Sequence, residues 1–342
     1  MNKPTFMQQE IAGIPDAVAT FLERSSSSIA KAGARLREKD PLLIATVARG
    51  SSDHAASYLK YAAEIHAGIP VASLGPSIAS IFGARLKLAR AACLAISQSG
   101  KSPDIMKMAG TAREGGALAI ALTNTAGSPL ADACDEVIDI LAGPERSVAA
   151  TKTFVNSVVA GLALLAECID DEGLRRALAA LPARLEAARN CDWNALCEAT
   201  EGRDSLFILG RGPSFAIAAE AALKFKETSS VHAEAYSSAE VMHGPVSIVG
   251  GGFPVLALAA RDAAERSIAE TADELTAKGA TVFATSDTVS SARRLPFAAT
   301  GHTLTDPLSL IVSFYAFIEA FARRRGLDPD KPTHLRKVTE TR

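Results

Sequence analysis

Apolar positions along this chain alternate between two rhythms. Short aliphatic runs end in loops rich in glycine and serine, and stretches with apolar residues at helical spacing follow them. That alternation predicts βα units and a mainly parallel sheet. One unit has a strand over residues 42–48, the loop Arg49-Gly50-Ser51-Ser52, and a helix from about Asp53 to His66. Another has a strand over 206–210, the loop Arg211-Gly212-Pro213-Ser214, and a helix to about Glu227. Arg, Gly and the second Ser recur at one offset, 211 − 49 = 162. The same offset sets residues 93–100 opposite 255–262, and one residue later in register 118–124 matches 281–287. Two copies of one α/β domain account for this. The charged, Ala-rich helical stretch over 167–198 separates them, which gives a first domain over 1–190 and a second over 191–342.

The chain has 342 residues, 48% hydrophobic and 22% charged, as expected of a globular protein with two cores. A formal net charge of −2 leaves no basic footprint for nucleic acid. Gln8, Gln9 and Glu10 stand where a signal peptide would be apolar. The apolar run over 155–166 is read as too short to span a bilayer. A cytoplasmic protein with no membrane partner is expected. The five cysteines form no CxxC pair and the six histidines no HxH or HxxxH spacing, so idle thiols and no metal are expected.

The copies differ in chemistry. Where the first has Ser97-Gln98-Ser99-Gly100, the second has Ala-Ala-Arg-Asp at 259–262. In open α/β sheets ligands bind beyond the carboxyl ends of the strands, where helix N-termini offer free N–H groups and positive potential. The segment from Ser97 through Ser102 to Pro103 supplies three hydroxyls, a glycine and a helix-opening proline. With Gly50, Ser51 and Ser52 of the neighbouring loop it forms a candidate phosphate cradle, present in the first copy alone. The competing reading is that these serines only cap helices. No GxxxxGK[ST] loop is present, which disfavours a nucleoside triphosphate.

Several segments together resemble the SIS (sugar isomerase) family, in particular the isomerase half of glucosamine-6-phosphate synthase and stand-alone SIS-type glucosamine-6-phosphate deaminases. They are Phe6-Met7-Gln8-Gln9-Glu10-Ile11, Arg49-Gly50-Ser51-Ser52-Asp53-His54, Ser97-Gln98-Ser99-Gly100, Val148-Ala149-Ala150-Thr151-Lys152, Ala222 to Glu227, His232 to Tyr236, His243-Gly244-Pro245, and a tail with Lys331-Pro332 and Leu335-Arg336-Lys337-Val338-Thr339. The resemblance implies two tandem SIS domains, each a mainly parallel five-stranded sheet flanked by helices in a flavodoxin-like arrangement. It implies a hexose 6-phosphate substrate, no cofactor, and a homodimer with shared active sites. No amidotransferase nucleophile is seen near residue 1, so glutamine-independent chemistry is expected: glucosamine 6-phosphate to fructose 6-phosphate and ammonia, or the reverse. Deglycation of a fructosamine 6-phosphate and a non-catalytic phosphosugar sensor are the alternatives.

By the same resemblance Glu227 is the proton-shuttling carboxylate, His243 the ring-opening histidine supplied by a neighbouring subunit, Lys337 a tail lysine near the carbonyl end, and Val148 and Ala149 line the substrate. Glu220 and Lys224 lie on the helix of Glu227 at spacings that put all three on one face. Without the resemblance, that trio reads as a solvated helix stripe. Lys337 would likewise be a frayed side chain.

Overall fold

The computed structural model describes residues 3–337. Helices α1 (Phe6–Ala12), α2 (Ile14–Arg24) and α3 (Ser26–Lys39) precede the first alternating stretch. That stretch is β1 (Leu43–Val47), α4 (Ser51–His66), β2 (Val71–Ser73), α5 (Ser77–Ser80), β3 (Ala91–Ser97), α6 (Pro103–Glu114), β4 (Leu118–Thr123), α7 (Pro129–Ala133) and β5 (Glu136–Asp139). Three helices follow: α8 (Lys152–Ile169), α9 (Glu172–Ala188) and α10 (Asn194–Thr200). The second stretch is β6 (Ser205–Gly210), α11 (Pro213–Ser229), β7 (His232–Ser237), β8 (Pro254–Ala257), α12 (Glu265–Ala277), β9 (Thr281–Ala284), β10 (Arg293–Arg294) and α13 (Asp306–Arg324).

Each stretch forms a five-stranded sheet, in the orders β2-β1-β3-β4-β5 and β7-β6-β8-β9-β10. Every pairing is parallel. This is the flavodoxin-like order, whose switch point lies beside the first strand. Strands covered on both faces need no polar alternation, and β3 and β4 are buried along their whole length.

The repeat is visible in the strand pairing. Ala45 pairs with Cys93 and Phe207 with Val255, so both partners move by 162 (207 − 45 and 255 − 93). Ala92 pairs with Leu118 and Pro254 with Thr281, offsets of 162 and 163 (254 − 92 and 281 − 118). One residue has therefore been added between the third and fourth strands of the second copy.

The chain divides into two compact units that interleave along the sequence. Among the described residues, the unit with the first sheet comprises 16–145, 152–179 and 336–337; the unit with the second comprises 3–15, 146–151 and 180–335. In the first-sheet unit α8 packs against α3 and α4. At 18 residues it outruns the 155–166 apolar stretch and is long and apolar enough to cross a membrane, which corrects the sequence-based expectation. It is 78% buried within the fold, as a core helix is. Glycine brings it close to its neighbours: a Cβ on Gly161 would fall 2.2 Å from Leu59 Cδ1, and one on Gly33 would fall 2.5 Å from Glu167 Cβ. A cavity of about 40 Å³ remains under α8, lined by Leu59, Ala63, Cys93 and Leu164. Its size and apolar walls make it a packing void. Burial pushes the Cys93 and Cys134 thiols up to about 12, so both are inert near neutrality.

In the second-sheet unit Phe225 of α11 packs among Phe314, Phe317 and Phe321 of α13, with centroids 5.5, 5.9 and 5.8 Å away. Trp193, the chain's one tryptophan, is 3% exposed. It lies 6.2 Å from the Phe317 ring and donates its Nε1–H to the Pro296 carbonyl at 3.0 Å.

Candidate active site

In the first-sheet unit the two serine loops stand at the carboxyl ends of β1 and β3, which are paired neighbours. Arg49 ties them together. Its Nε and Nη2 both reach Asp104 Oδ2 at 2.6 Å, and Asp104, 1% exposed, also accepts the Ile105 N–H at 2.8 Å. Gly50 adopts φ 54°, ψ −133°, a conformation reserved for glycine, and opens α4 with Ser51 and Ser52 in its first turn.

The β3 loop folds on itself: Ser97 Oγ accepts the Gly100 N–H at 3.2 Å and Ser99 Oγ the Lys101 N–H at 3.3 Å. Gly100 has φ 62°, and a Cβ there would fall 2.1 Å from Ser128 Oγ. Ser102 holds the N-cap position of α6 yet makes no capping hydrogen bond, which weighs against a purely capping role. Gln98 and Ser99 are partly exposed beside it. The result is a polar rim between two helix N-termini, suited to an anion.

The corresponding loop of the second copy has spent its polar groups internally. Arg261 stands where the first copy has Ser99 (261 − 99 = 162). Its guanidinium bonds Glu265, reaches Asp287 Oδ2 at 2.6 Å and lies 5.4 Å from the Phe297 ring centroid. Ala259 exchanges hydrogen bonds with Thr285 Oγ1, at 2.8 and 3.0 Å.

The second-sheet unit carries the acid–base candidates. On α11, Glu220, Lys224 and Glu227 do share a face, but that face is not solvated. The side chains of Glu220 and Lys224 are 0% exposed and that of Glu227 is 19% exposed. The solvated-stripe reading is corrected: the stripe faces α13, whose Tyr315 donates its hydroxyl to Glu220 Oε1 at 3.0 Å. Lys224 Nζ lies 3.3 Å from Glu220 Oε1 and bonds Glu227 Oε2. Burial alone would lower the Lys224 ammonium, but the two carboxylates reverse that and hold it above the usual lysine range. Glu227 is the end of this charge chain that meets solvent.

His243 lies in the loop after β7, exposed, with its backbone N–H on the Glu240 carbonyl at 2.9 Å. Among the described residues its imidazole has no hydrogen-bond partner. Ala149 is 0% exposed and Val148 partly exposed, in the segment that precedes α8. Lys337, with the first-sheet unit, is no frayed side chain: its Nζ meets Glu145 Oε2 at 2.7 Å. Glu145, its side chain 0% exposed, also accepts the Thr153 N–H at 3.1 Å and the Thr153 hydroxyl at 2.7 Å. Val338 and Thr339 of the tail motif lie outside the described residues.

Two residues of these arrangements escaped sequence reasoning. Glu145 stands three residues before Val148, so its proximity to the 148–152 motif could have found it. Tyr315 had no such signal, being 95 residues from Glu220.

A family model described as SIS domain matches residues 38–167 and 201–322. The chain is 33% identical over 356 aligned residues to the glutamine–fructose-6-phosphate aminotransferase (isomerizing) of Symbiobacterium thermophilum, an alignment taking in 98% of this chain. It spans 57% of the length of that relative. Among solved structures, a candidate phosphosugar isomerase from Silicibacter pomeroyi DSS-3 is 60% identical with a TM-score of 0.93, covering 96% of this chain and 100% of that one. The glucosamine-6-phosphate deaminase of Thermotoga maritima shares the fold, with a TM-score of 0.79 at 20% identity, covering 98% of this chain and 100% of that one. Two parallel sheets in one order, joined by a repeat that holds through the strand register, match that family model in two segments, and the chain belongs to the SIS domain family.

Proposed function

We propose that this chain is a phosphosugar isomerase acting on a hexose 6-phosphate, with glucosamine 6-phosphate to fructose 6-phosphate and ammonia as its reaction. The observation that carries this reading is the buried Glu220–Lys224–Glu227 chain. Burying Glu220 and Lys224, with only Glu227 reaching solvent, costs desolvation that an apolar pair would avoid. A carboxylate held in one orientation at the solvent end of that chain is positioned to act as a general base. Similarity to a relative named for an isomerizing reaction on fructose 6-phosphate supports the substrate class.

In this reading the phosphate sits among Gly50, Ser51, Ser52, Ser97, Gln98, Ser99 and Ser102. His243 transfers a proton to the ring oxygen as the sugar opens. Glu227 removes the C2 proton of the open-chain amino aldose and returns it to C1, while O1 takes up a proton and the amine nitrogen gives one up, so that the enolamine becomes the 2-imine; water then adds and ammonia leaves. Lys224 orients Glu227, Lys337 approaches the carbonyl end, and Val148 and Ala149 line the sugar.

The test is a coupled assay for fructose 6-phosphate and ammonia over a panel of amino sugar phosphates, with ammonia or glutamine supplied separately in reverse. Turnover of glucosamine 6-phosphate, and reverse reaction with ammonia alone, are expected. Turnover confined to plain aldose and ketose phosphates would replace the deaminase reading. No turnover with any would remove the enzyme.

A further inference from the structure

Glu10 belongs to a quoted motif that the proposed chemistry leaves without a role. It sits on α1, a seven-residue helix, and is 6% exposed. Carboxylates are seldom buried without a partner. Here the Arg146 N–H donates to Glu10 Oε1, and the Ser147 N–H straddles both oxygens at 3.4 and 3.3 Å. Two successive main-chain donors converge on one carboxylate, which fixes the peptide planes entering Val148 and Ala149. Around this clamp Ser147 and Ala149 are 0% exposed, and the Arg146 guanidinium lies 5.5 Å from the Phe6 ring centroid.

The helix itself has other anchors. The Phe6 and Met7 N–H groups donate to Asp330 at 2.6 and 2.8 Å, Thr5 donates to Glu319 at 2.7 Å, and Met7 and Ile11 are 0% and 3% exposed. Loss of the Glu10 carboxylate would therefore free the 146–149 main chain before it freed α1. The segment also stands apart from its chain neighbours: 146–151 belongs with the second-sheet unit, whereas Glu145 and Lys152 on either side belong with the first.

We infer that Glu10 is a positioning residue: it holds the main chain of residues 146–149 so that Val148 and Ala149 meet the sugar, and acts on the reaction without touching the reacting atoms. This role rests on the function proposed above. It is tested on the full chain with glucosamine 6-phosphate, comparing wild type, Glu10→Ala and Glu10→Gln. Glu10→Ala leaves the buried Ser147 N–H and the half-buried Arg146 N–H unmatched and should raise KM on the order of tenfold, with kcat changed far less. Glu10→Gln keeps one acceptor oxygen and should recover most of that loss. Hydrogen exchange should show the Arg146 and Ser147 amides exposed at least about tenfold more often in Glu10→Ala, with β6 and α11 still protected. An active wild type with unmoved KM in Glu10→Ala, or unmoved exchange at 146–147, overturns this role alone. An inactive wild type removes the proposed function and this role with it.

Discussion

Lys224 carries the sharpest consequences of any single side chain. Its ammonium has exchanged water for two carboxylates on its own helix and has no exposed surface. Removing it by Lys224→Met leaves Glu220 facing Glu227 without a counter-charge, which should destabilise the protein by about 3–5 kcal/mol. Urea denaturation measures this, and a loss below about 1 kcal/mol would mean the carboxylates had protonated or rearranged at little cost. The pH dependence has a definite sign. Because the folded lysine titrates above its ordinary value of 10.5, its contribution is complete below that value and is lost as pH rises through the folded one. The wild-type urea midpoint should therefore fall more steeply than that of Lys224→Met as pH is raised beyond about 10. Glu227→Gln preserves shape but cannot take a proton, so turnover should fall ~10²–10⁴-fold while calorimetry still detects sugar phosphate binding. At this scale the sequence placed Glu220, Lys224 and Glu227 on one face. It could not say which way the face points, because that depends on α13, far along the chain.

At the scale of elements, helix starts and strand ends were the most legible features. Residue identity at Gly50 and Gly212 encodes a local backbone shape: φ, ψ of 54°, −133° at one and 59°, −137° at the other, each opening a helix. A Cβ at either would meet nothing within 4 Å, so the strain of a substitution lies wholly in the backbone. Gly50→Ala should cost about 1–3 kcal/mol and weaken phosphate binding, because the α4 N-terminus must turn to relieve it. Calorimetry with glucosamine 6-phosphate checks the binding loss, and an unchanged affinity would remove Gly50 from the cradle. Gly161 illustrates the opposite case. Its φ is ordinary, but Leu59 occupies the space a methyl would need, so Gly161→Ala should cost ~1–3 kcal/mol by overpacking α4 against α8. Such close approaches leave no trace in hydrophobic periodicity, and neither did the extra turn that lengthens α8 beyond its apolar run.

For the whole molecule, duplication without chemical equality is the organising fact. The fold class and the 162-residue offset were readable because strand register is a local property repeated twice. Long-range ties such as Lys337 to Glu145, 192 residues apart, have no local signature. With Arg261 bound to Glu265 and Asp287 in the second copy, titration should find one sugar phosphate per chain, lost in the Ser97→Ala, Ser99→Ala double variant. Two equivalent sites would refute the asymmetry. If Glu227 and His243 act from different copies of the chain, mixing inactive Glu227→Gln and His243→Ala chains should restore activity in verified heterodimers, since one mixed site then holds both intact residues. No recovery would place both within one chain.

The position of Trp193 determines what fluorescence can report. The chain's one indole belongs with the second sheet, held by Pro296 and Phe317, so emission excited selectively at tryptophan follows the melting of that unit, whereas Tyr58 and Tyr61 of the other unit contribute only when tyrosine is excited as well. Circular dichroism sums the helices of both. The two signals will superimpose during unfolding only if the units melt as one cooperative body, and a gap between their midpoints would give the separate stability of each half.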